Sequence, residues 1–408
     1  MAYRDLRSIF HDQSRDYESE YRARRESACA VELGISVSGH PAFFVMAPDV
    51  YEAALAASRL DKQISKLVGE LPGKAVASYM ESCLIDEIVI TNEIEGVNST
   101  RREISEILDR LESDDKRGRF RGLVQKYLML CGGREIPVRT PEDVRSIYDE
   151  LVLDEVAGSD PKNVPDGRLF RAGPVSVLNA AGIPIHAGVE PEGSIVSCME
   201  RALGLLNDGS VVPLARIAAF HFAFGYIHPF YDGNGRTNRF ISSYAISQEY
   251  EPIVGFRLSY AVKESISKYY RAFTTCEHPL CRGDVTPFVI AFSEIVVSAM
   301  ESMRRSLAER LESMRSCEEA EAALSSEIGK PWAESLVDVL VNAALFSANG
   351  ITAAELSEMF GTSRQTTYSR LGEIRDRGLL VQERVGRKTY CRMDVEALKG
   401  LFRASNGS

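Results

Sequence analysis

The feature that most constrains this chain is a run of twelve residues, His228–Arg239, that combines glycine with charged side chains. Gly233 and Gly235 let the backbone take unusual dihedral angles and approach a ligand closely. At the start of a following helix, their N–H groups form an anion-binding site aligned with the helix dipole. Arg236 and Arg239 are three residues apart, so they lie on one helical face and reach the same anion. The run therefore predicts a polyphosphate-binding site.

Two more side chains of this run add catalytic chemistry to the predicted site. Asp232 supplies a hard carboxylate oxygen, which suits Mg²⁺ together with phosphate oxygens. His228 stands directly before the loop, and histidine titrates in the range suited to a general base. Taken singly, a glycine loop is usually a turn, a histidine is usually structural, and two arginines are usually a solvated face. Their combination in one short run favours a site for a metal ion and a polyphosphate.

Composition limits what kind of protein carries this run. The chain has 408 residues, of which 45% are hydrophobic and 26% charged, and its net charge is -10. This length predicts two or three domains, and the acidic balance gives no overall footprint for nucleic acid or an anionic membrane. Eight scattered cysteines indicate reduced thiols. The charged N-terminus lacks the apolar core of a signal peptide, and we find no apolar run of about 18 residues. We therefore expect a cytoplasmic protein with no membrane segment.

Helical periodicity predicts a mainly α fold. We expect an N-terminal helical region over residues 1–80, a core over 81–300, a connecting helix over 301–330 and a separate unit over 331–403. Residues 1–30 are predicted to be a charged helix or a mobile arm. The other predicted helices before the last unit cover residues 49–71, 74–93, 99–113, 141–155, 192–207, 212–227, 236–249, 261–274 and 285–325.

One segment inside the core breaks the helical pattern. Across residues 156–192, glycine, proline and aspartate recur and the helical spacing disappears. Val175–Leu178 and Ile183–His186 are short apolar stretches on either side of a turn at Gly182. This pattern predicts a small β-hairpin.

The last seventy residues predict a winged helix-turn-helix, whose elements run helix, helix, turn, helix, hairpin. The predicted elements are the helices Trp332–Phe346, Ile351–Phe360 and Ser363–Arg377 and the strands Leu379–Arg384 and Lys388–Met393, which flank Gly386. Polar and basic groups fall where such a domain reads DNA, at Arg364, Gln365, Thr366, Thr367, Tyr368, Arg370, Arg384, Arg387 and Lys388. Acidic residues offset them, so DNA binding and a role in protein interaction or dimerisation both stay open.

The run 228–239 resembles the motif HPFx(D/E)GNGRxxR of the Fic family and matches every fixed position. The preceding segment from Ala218 to Ile227 is similar to the helix before the motif in that family. Residues 166–190 resemble its β-hairpin flap, and residues 283–288 resemble part of its later helices. The resemblance covers about residues 80–300 and implies a Fic helical core with a small β-hairpin flap.

The resemblance implies a reaction and a role for each residue of the motif. A Fic enzyme of this type transfers AMP from ATP, with Mg²⁺, to a hydroxyl side chain of a protein. His228 would take the proton from the attacking hydroxyl, Asp232 would hold Mg²⁺, and Phe230 would anchor the loop. The residues that would bind the phosphates are Gly233, Asn234, Gly235, Arg236 and Arg239. The flap near Ile185–Gly188 would align the target segment by strand addition.

The adenine subsite is the part of the resemblance that the sequence defines least. Tyr269 and Tyr270 resemble residues that lie near the adenine, with core packing as the alternative. Some relatives carry an asparagine just before the segment Gly283-Asp284-Val285 that helps hold the nucleotide. This chain has Cys281-Arg282 there, so it departs from the family pattern at that point.

An upstream segment, Thr91–Gly96, resembles the inhibitory motif (S/T)xxxE(G/N) of the family. By composition alone it is a polar helix end capped by Gly96. In relatives the glutamate of this motif, here Glu95, pairs with the second arginine of the loop, here Arg239. The resemblance thus implies an enzyme of the class with an N-terminal inhibitory helix, autoinhibited by Glu95.

Protein adenylylation is therefore the function that we predict. A hydrolase that removes AMP from a modified protein, and a DNA-binding regulator whose core senses a nucleotide, are the alternatives. Transfer of phosphate or another nucleotide is disfavoured, because phosphate-transferring relatives alter the GNG loop. The expected partners are ATP, Mg²⁺ and a protein with a target hydroxyl, including the chain itself. A homodimer and DNA stay open as further partners.

Overall fold

The computed structural model describes residues 3–111, 119–178, 184–385 and 388–406. The chain divides into two compact units. The first comprises Met1–Lys62 and Asp86–Glu301, and the second comprises Gln63–Ile85 and Ser302–Ser408. The predicted turn at Gly182, and Gly386 and Arg387 of the predicted C-terminal hairpin, lie outside the described residues.

The N-terminal region, predicted as helical over residues 1–80, contains a β-hairpin that was not predicted as well as helices. Helices α1 (Leu6–Phe10) and α2 (Tyr17–Arg25) precede strands β1 (Ala30–Val37) and β2 (His40–Val45), which pair antiparallel. Burial alternates along the end of β1, and Ser38 and Gly39 turn the chain with φ of 49° and 81°. Two successive positive φ values are typical of a two-residue hairpin turn.

The helices predicted between residues 48 and 155 are present with small shifts in their ends. They are α3 (Pro48–Glu70), α4 (Gly73–Ile94), α5 (Arg101–Asp109), α6 (Arg121–Cys131), α7 (Pro141–Tyr148) and α8 (Asp154–Ser159). Of these, α6 was not predicted, and the single helix predicted over 141–155 corresponds to α7, a π-helical turn and the start of α8. A single π-helical turn, Asp149–Leu153, joins α7 to α8. Thr140 and Asp143 form a reciprocal cap that fixes the start of α7.

The predicted hairpin and the glycine loop lie within the first unit. Strands β3 (Ser176–Leu178) and β4 (Pro184–Ala187) pair antiparallel. The helices that follow are α9 (Glu192–Leu206), α10 (Pro213–Ile227), α11 (Asn234–Glu249), α12 (Leu258–Glu264), α13 (Ile266–Cys276) and α14 (Thr286–Arg315). Short 3₁₀ turns occupy Pro161–Asn163, Pro252–Arg257 and Pro279–Cys281. Helix α10 is apolar on nearly every side and buried, as expected for the central helix of a core.

In the second unit the predicted C-terminal elements are present, with additions. They are α15 (Glu318–Ile328), α16 (Ala333–Phe346), β5 (Ile351–Thr352), α17 (Ala353–Met359), α18 (Arg364–Arg375), β6 (Leu380–Val385), β7 (Lys388–Met393) and α19 (Val395–Asn406). The strands form an antiparallel sheet in the order β5-β7-β6. Strand β5 and helix α19 were not predicted.

The boundary predicted at residues 330–331 cuts through a hydrophobic core. The single helix predicted over 285–325 is instead two, because α14 ends at Arg315 and α15 begins at Glu318. Cys317, Leu324 and Ile328 are buried in the same cluster as residues of α16 to α19. Helix α15 is therefore part of the C-terminal core rather than a linker.

One helical stretch, residues 286–328, is long and apolar enough to cross a bilayer by length and composition. Of its most apolar window, 61% is buried inside the protein. The core helices of soluble proteins share these properties, so the stretch is weak support for a membrane span.

Candidate active site

The site is built around His228, which ends helix α10. Its backbone takes a left-handed conformation with φ of 53°, which is strained for a residue other than glycine. Its N–H still donates to the carbonyl of Phe224 at 3.0 Å. The left-handed residue turns the chain out of the helix at once, so the imidazole lies at the entrance of the loop that follows.

A buried arginine holds this turn in place. Arg171 is 0% exposed, and its Nε donates to the carbonyl oxygen of His228 at 2.8 Å. Its Nη1 donates to Gly173 and its Nη2 to Val189, both at 2.7 Å, so it ties the segments flanking the β3–β4 hairpin to His228. Sequence reasoning did not single out Arg171. Nothing local marks it, because its partners are backbone carbonyls that the fold brings together.

The His228 imidazole is set up to accept a proton. Its Nδ1 lies 3.4 Å from the carbonyl oxygen of Gly225, which is only an acceptor, so we assign the ring proton to Nδ1 and the free lone pair to Nε2. Burial lowers the pKa of His228 to about 4. The ring is therefore neutral at pH 7 and available as a base.

An aromatic anchor and an amide brace fix the loop after His228. Phe230 is 0% exposed, and its ring stacks on Tyr148 with centroids 3.7 Å apart. Asn234 accepts from the N–H of Phe230 at 2.9 Å and donates to its carbonyl at 2.7 Å. The Asn234 side chain thus closes the loop from inside, and only its backbone N–H remains for a ligand.

Helix α11 begins at this loop with an open N-terminus. Gly233 occupies the cap position with φ of 79°, and no side chain caps the helix. The first intrahelical bond runs from Thr237 N–H to the Gly233 carbonyl at 3.0 Å. The N–H groups of Asn234, Gly235 and Arg236 therefore have no partner within the helix, which is the arrangement that binds anions.

Asp232 is the carboxylate at the edge of this N-terminus. Its side chain is 42% exposed, and one oxygen lies 3.7 Å from Arg236 Nη2. It also accepts from the N–H of Gly233. A half-exposed carboxylate beside open N–H groups fits a hard cation shared with phosphate oxygens. Among the described residues, no cluster of three or more metal-ligating side chains offers an alternative.

Glu95, at the end of α4, lies against the same helix start. Its Oε1 accepts from Arg239 Nη2 at 2.8 Å. Arg239 is 2% exposed and donates also to the hydroxyl and carbonyl of Thr91, at 2.8 and 3.0 Å. Burial alone lowers the pKa of Arg239, but the Glu95 carboxylate raises it overall. A Cβ added at Gly235 would stand 2.0 Å from Glu95 Oε1, so the carboxylate covers the open N-terminus of α11.

The other loop arginine has its own carboxylate, which sequence reasoning missed. Arg236 is 1% exposed and pairs through Nη1 with Glu155 of α8. Glu155 stands in a polar stretch without a recognisable motif. Its only sequence signal is its place on a helix that also carries the loop-packing residue Val152.

The two predicted adenine residues differ in their surroundings. Tyr269 is 7% exposed, and its hydroxyl lies 2.7 Å from Nε2 of the buried His221, as the core-packing alternative predicts. Tyr270 is 48% exposed. The pKa of Tyr270 is raised mainly by burial and further by the Glu95 charge, while Arg239 lowers it. Tyr270 is thus the tyrosine available to a ligand near Glu95.

Arg282, where the sequence departs from the family, is directed to the N-terminal arm. It takes a left-handed conformation with φ of 47° and forms two 2.8 Å bonds to Glu18 of α2. Next to it, Asp284 accepts from Tyr3 at 2.6 Å and from Arg24 at 3.0 Å. Residues 1–30 therefore contain docked helices, and Arg282 is occupied by one of them.

Residues 139–246 match the model of the Fic/DOC family. This segment is therefore similar to the domain that the Fic/DOC family shares. It contains the whole run His228–Arg239 together with Arg171 and Glu155, while Glu95 lies before it.

Curated relatives of the Fic domain are similar over a short stretch. Protein adenylyltransferase Fic of Drosophila ananassae is 33% identical over 91 residues, which cover 22% of this chain and 16% of that protein. Its Drosophila willistoni counterpart is 32% identical over 101 residues, or 24% of this chain and 18% of that protein. The chain thus spans less than a fifth of these relatives, too little to transfer their activity.

Solved structures resemble the chain more broadly but at low identity. A Fic family protein from Desulfovibrio desulfuricans G20 aligns with a TM-score of 0.49 and 17% identity, over 86% of this chain and 97% of that chain. A fragment of Fic-1 from C. elegans aligns with a TM-score of 0.41 and 18% identity, over 62% and 73% respectively. Both TM-scores lie below 0.5, so these likenesses do not by themselves define the fold.

Proposed function

We propose that this chain transfers AMP from ATP to a hydroxyl side chain of a protein. The target oxygen attacks the α-phosphorus, a new P–O bond forms, and the bond from the α-phosphorus to the bridging oxygen breaks. Pyrophosphate leaves with the electron pair of that bond, and the hydroxyl proton goes to Nε2 of His228. The single observation that carries the proposal is the position of His228, which ends α10 and lies at the entrance of the open N-terminus of α11.

The phosphate loop supports a polyphosphate substrate. The free N–H groups of α11 and the buried guanidinium of Arg236 offer donors to phosphate oxygens. Asp232 would hold Mg²⁺, which when bound neutralises charge on the phosphates. The surrounding protein fixes these groups in advance, and such positioning supplies most of the rate in phosphoryl-type transfer.

Glu95 makes this enzyme inactive in its resting state, as part of the same proposal. Its carboxylate occupies Arg239 and covers Gly235, where a phosphate would approach. Two negative groups do not share one anion site, so ATP binds productively only when Glu95 moves away. The same contact supports the alternative of AMP removal, because a carboxylate beside the loop is also placed to orient a water molecule.

Labelling with two forms of radioactive ATP tests the proposal. With Mg²⁺ and purified protein, a Glu95→Gly variant should label itself from α-³²P-ATP and not from γ-³²P-ATP, since AMP retains only the α-phosphorus. Adding His228→Ala should reduce labelling by about 10²–10⁴-fold, the usual contribution of a positioned base. His11→Ala removes an exposed histidine and is the matched control.

Three other outcomes of the labelling experiment would contradict this mechanism. Label from γ-³²P-ATP would indicate phosphate transfer. Release of AMP from a protein that was modified beforehand, without net labelling, would favour the hydrolase. Undiminished labelling by the His228→Ala variant would remove His228 from the mechanism.

We also infer that the C-terminal elements α16 to α18 with β5 to β7 are a winged helix that binds DNA. The supporting observation is the surface of α18, where the side chains of Arg364, Gln365 and Thr366 are exposed and Tyr368 is 60% exposed. Exposed arginine, amide and aromatic groups on one helix suit contacts to phosphates and bases. The test is a salt-dependent binding measurement, described with the last prediction.

A further inference from the structure

Arg236 is buried with part of its hydrogen-bonding capacity unused. Its side chain is 1% exposed, and Nη1 donates to Glu155. Among the described residues, neither Nε nor Nη2 of Arg236 has a hydrogen-bond partner. A buried donor without a partner costs free energy, and these two lie beside the open N-terminus of α11, where an anion would complete their hydrogen bonds.

The two idle nitrogens form one edge of the guanidinium. Nε and Nη2 present parallel N–H groups that match a phosphate or carboxylate with two hydrogen bonds. Nη2 is also the nitrogen 3.7 Å from Asp232, so this edge lies toward the loop. In Arg239 the same edge is occupied, because its Nε and Nη2 donate to Thr91 and Glu95. The Nε–Nη2 edge is therefore hydrogen-bonded in Arg239 and free of hydrogen bonds in Arg236.

The helix that carries Glu155 is fixed against the underside of the loop. A Cβ added at Gly233 would meet Val152 Cγ2 at 2.8 Å and Tyr148 Cε2 at 3.2 Å. Val152, in the π-helical turn 149–153, and Glu155, in α8, are three residues apart, so one face of this helical stretch brings Val152 beneath the loop and Glu155 to Arg236. Glu155 is only 14% exposed, so it has little freedom to leave.

We infer that Glu155 is a positioning residue, which holds Arg236 so that its Nε–Nη2 edge binds the polyphosphate of the substrate. The inference rests on the proposed function and assigns to Glu155 a role opposite to that of Glu95. Glu95 occupies the binding edge of its arginine and covers Gly235. Glu155 takes only the far nitrogen of its arginine and leaves the binding edge open. Removal of Glu95 therefore favours the nucleotide, and removal of Glu155 disfavours it.

A simple charge argument predicts the reverse for Glu155 and is the natural competitor. If Glu155 acted only through its charge, its loss would make the site more positive and tighten ATP binding. If Glu155 positions Arg236, a neutral side chain of the same size that still accepts a hydrogen bond should keep most of the ATP affinity. Shortening the side chain with the charge retained then weakens binding. Glu155→Gln and Glu155→Asp separate the two explanations without emptying the site.

The test measures ATP affinity by calorimetry and α-³²P-ATP labelling in full-length protein carrying Glu95→Gly. Glu155→Ala and Glu155→Asp should weaken ATP binding about tenfold or more, as expected when a charged hydrogen bond is lost, and should reduce labelling in parallel. Glu155→Gln should stay close to the parent. Asp154→Ala, an exposed neighbour on α8, is the matched control and should have no effect.

A double-mutant cycle distinguishes positioning from a general structural role. In an Arg236→Ala background, Glu155→Ala should change ATP affinity less than about twofold, because its effect passes through the arginine. A tenfold loss that persists without Arg236, or tighter ATP binding by the Glu155→Ala or Glu155→Gln variant, would overturn the inference. If no variant transfers label while the binding cycle behaves as expected, the proposed function fails and the positioning role stands.

Discussion

Helices α11 and α18 both begin after a turn and both carry arginines in their first turns, but their starts are built differently. Helix α11 has Gly233 at its cap position and no side-chain cap, and Arg236 and Arg239 are 1% and 2% exposed. Helix α18 is capped by Ser363, which accepts from Thr366 N–H at 3.1 Å, and Arg364 is exposed.

The difference shows what each helix start is able to bind. A serine cap occupies one of the free N–H groups of a helix N-terminus with the protein's own oxygen, so less anion-binding capacity remains. The glycine cap of α11 leaves the N–H groups unpaired, and buried arginines stand beside them in fixed places. Helix α11 thus suits a small anion held in one geometry, while α18 suits an extended, hydrated surface. The predictions below test this contrast in order of decreasing expected effect.

Gly235→Ala should have the largest effect, because it fills the open start of α11. The new methyl group would stand 2.0 Å from the present position of Glu95 Oε1, in the space that the proposal gives to a phosphate. Displacement of a reacting phosphate by about 1 Å lowers the rate roughly 10²-fold. We therefore expect labelling from α-³²P-ATP to fall by at least that factor in the Glu95→Gly background.

The substitution should not destabilise α11, since alanine favours a helix more than glycine does. Gly193→Ala in α9 is the matched control, because an added Cβ there meets nothing within 4 Å. Thermal unfolding of both variants should show retained stability. Full labelling by the Gly235→Ala variant would mean that the open N-terminus of α11 does not bind the phosphates.

Glu95→Gly should have the next largest effect, in the opposite direction. It frees the Nη2 of Arg239 and uncovers Gly235 at the same time. Coupling free energies between such sites are typically ~1–3 kcal/mol, so self-labelling should rise by roughly tenfold over wild type. Quantified α-³²P-ATP incorporation at equal protein concentration is the measurement.

Glu93→Gly is the control for glycine near the end of the same helix. Glu93 pairs with Lys263, and both side chains are largely exposed. If Glu93→Gly raised labelling as much as Glu95→Gly does, loosening of α4 would explain the gain, and the Glu95–Arg239 contact would not be the block.

The contrast also explains how far sequence reasoning reached. The loop from His228 to Arg239 was predictable because its glycines, acid and arginines are consecutive and their spacing carries the chemistry. The roles of Arg171 and Glu155 were not predicted, because each is an ordinary charged residue with a distant partner. Arg171 lies 57 positions from His228, and Glu155 lies 81 positions from Arg236. Asn234 stays predicted to bind the phosphates; its side chain holds the backbone of Phe230, so this role would fall to its backbone N–H.

Two errors in the predicted secondary structure concern the β1–β2 hairpin and the boundary between α14 and α15. The β1–β2 hairpin was missed although the alternating apolar residues Leu33, Ile35 and Val37 and the Ser38-Gly39 turn are visible in the sequence. The split between α14 and α15 has no glycine or proline to mark it. Packing of α15 into the C-terminal core decides that boundary, and the helical periodicity on both sides is the same.

Arg364→Ala should have the smallest effect and acts only on the proposed DNA complex. An exposed arginine that contacts a backbone phosphate contributes mainly by releasing a condensed cation. Loss of one such contact reduces the slope of log K against log salt by about 0.9 and weakens binding severalfold at low salt.

Fluorescence anisotropy with a labelled duplex measures both the slope and the affinity. Salt concentrations from roughly 50 to 200 mM are wide enough to resolve the slope. Arg375→Ala, at the far end of α18 and beside Asp376, is the control and should leave the slope unchanged. Labelling from α-³²P-ATP should be the same in both variants, because neither residue is one of those proposed to bind or process ATP. Binding that is absent or independent of salt would assign the exposed face of α18 to a protein partner instead, and the two helix starts would then differ in partner class as well as in geometry.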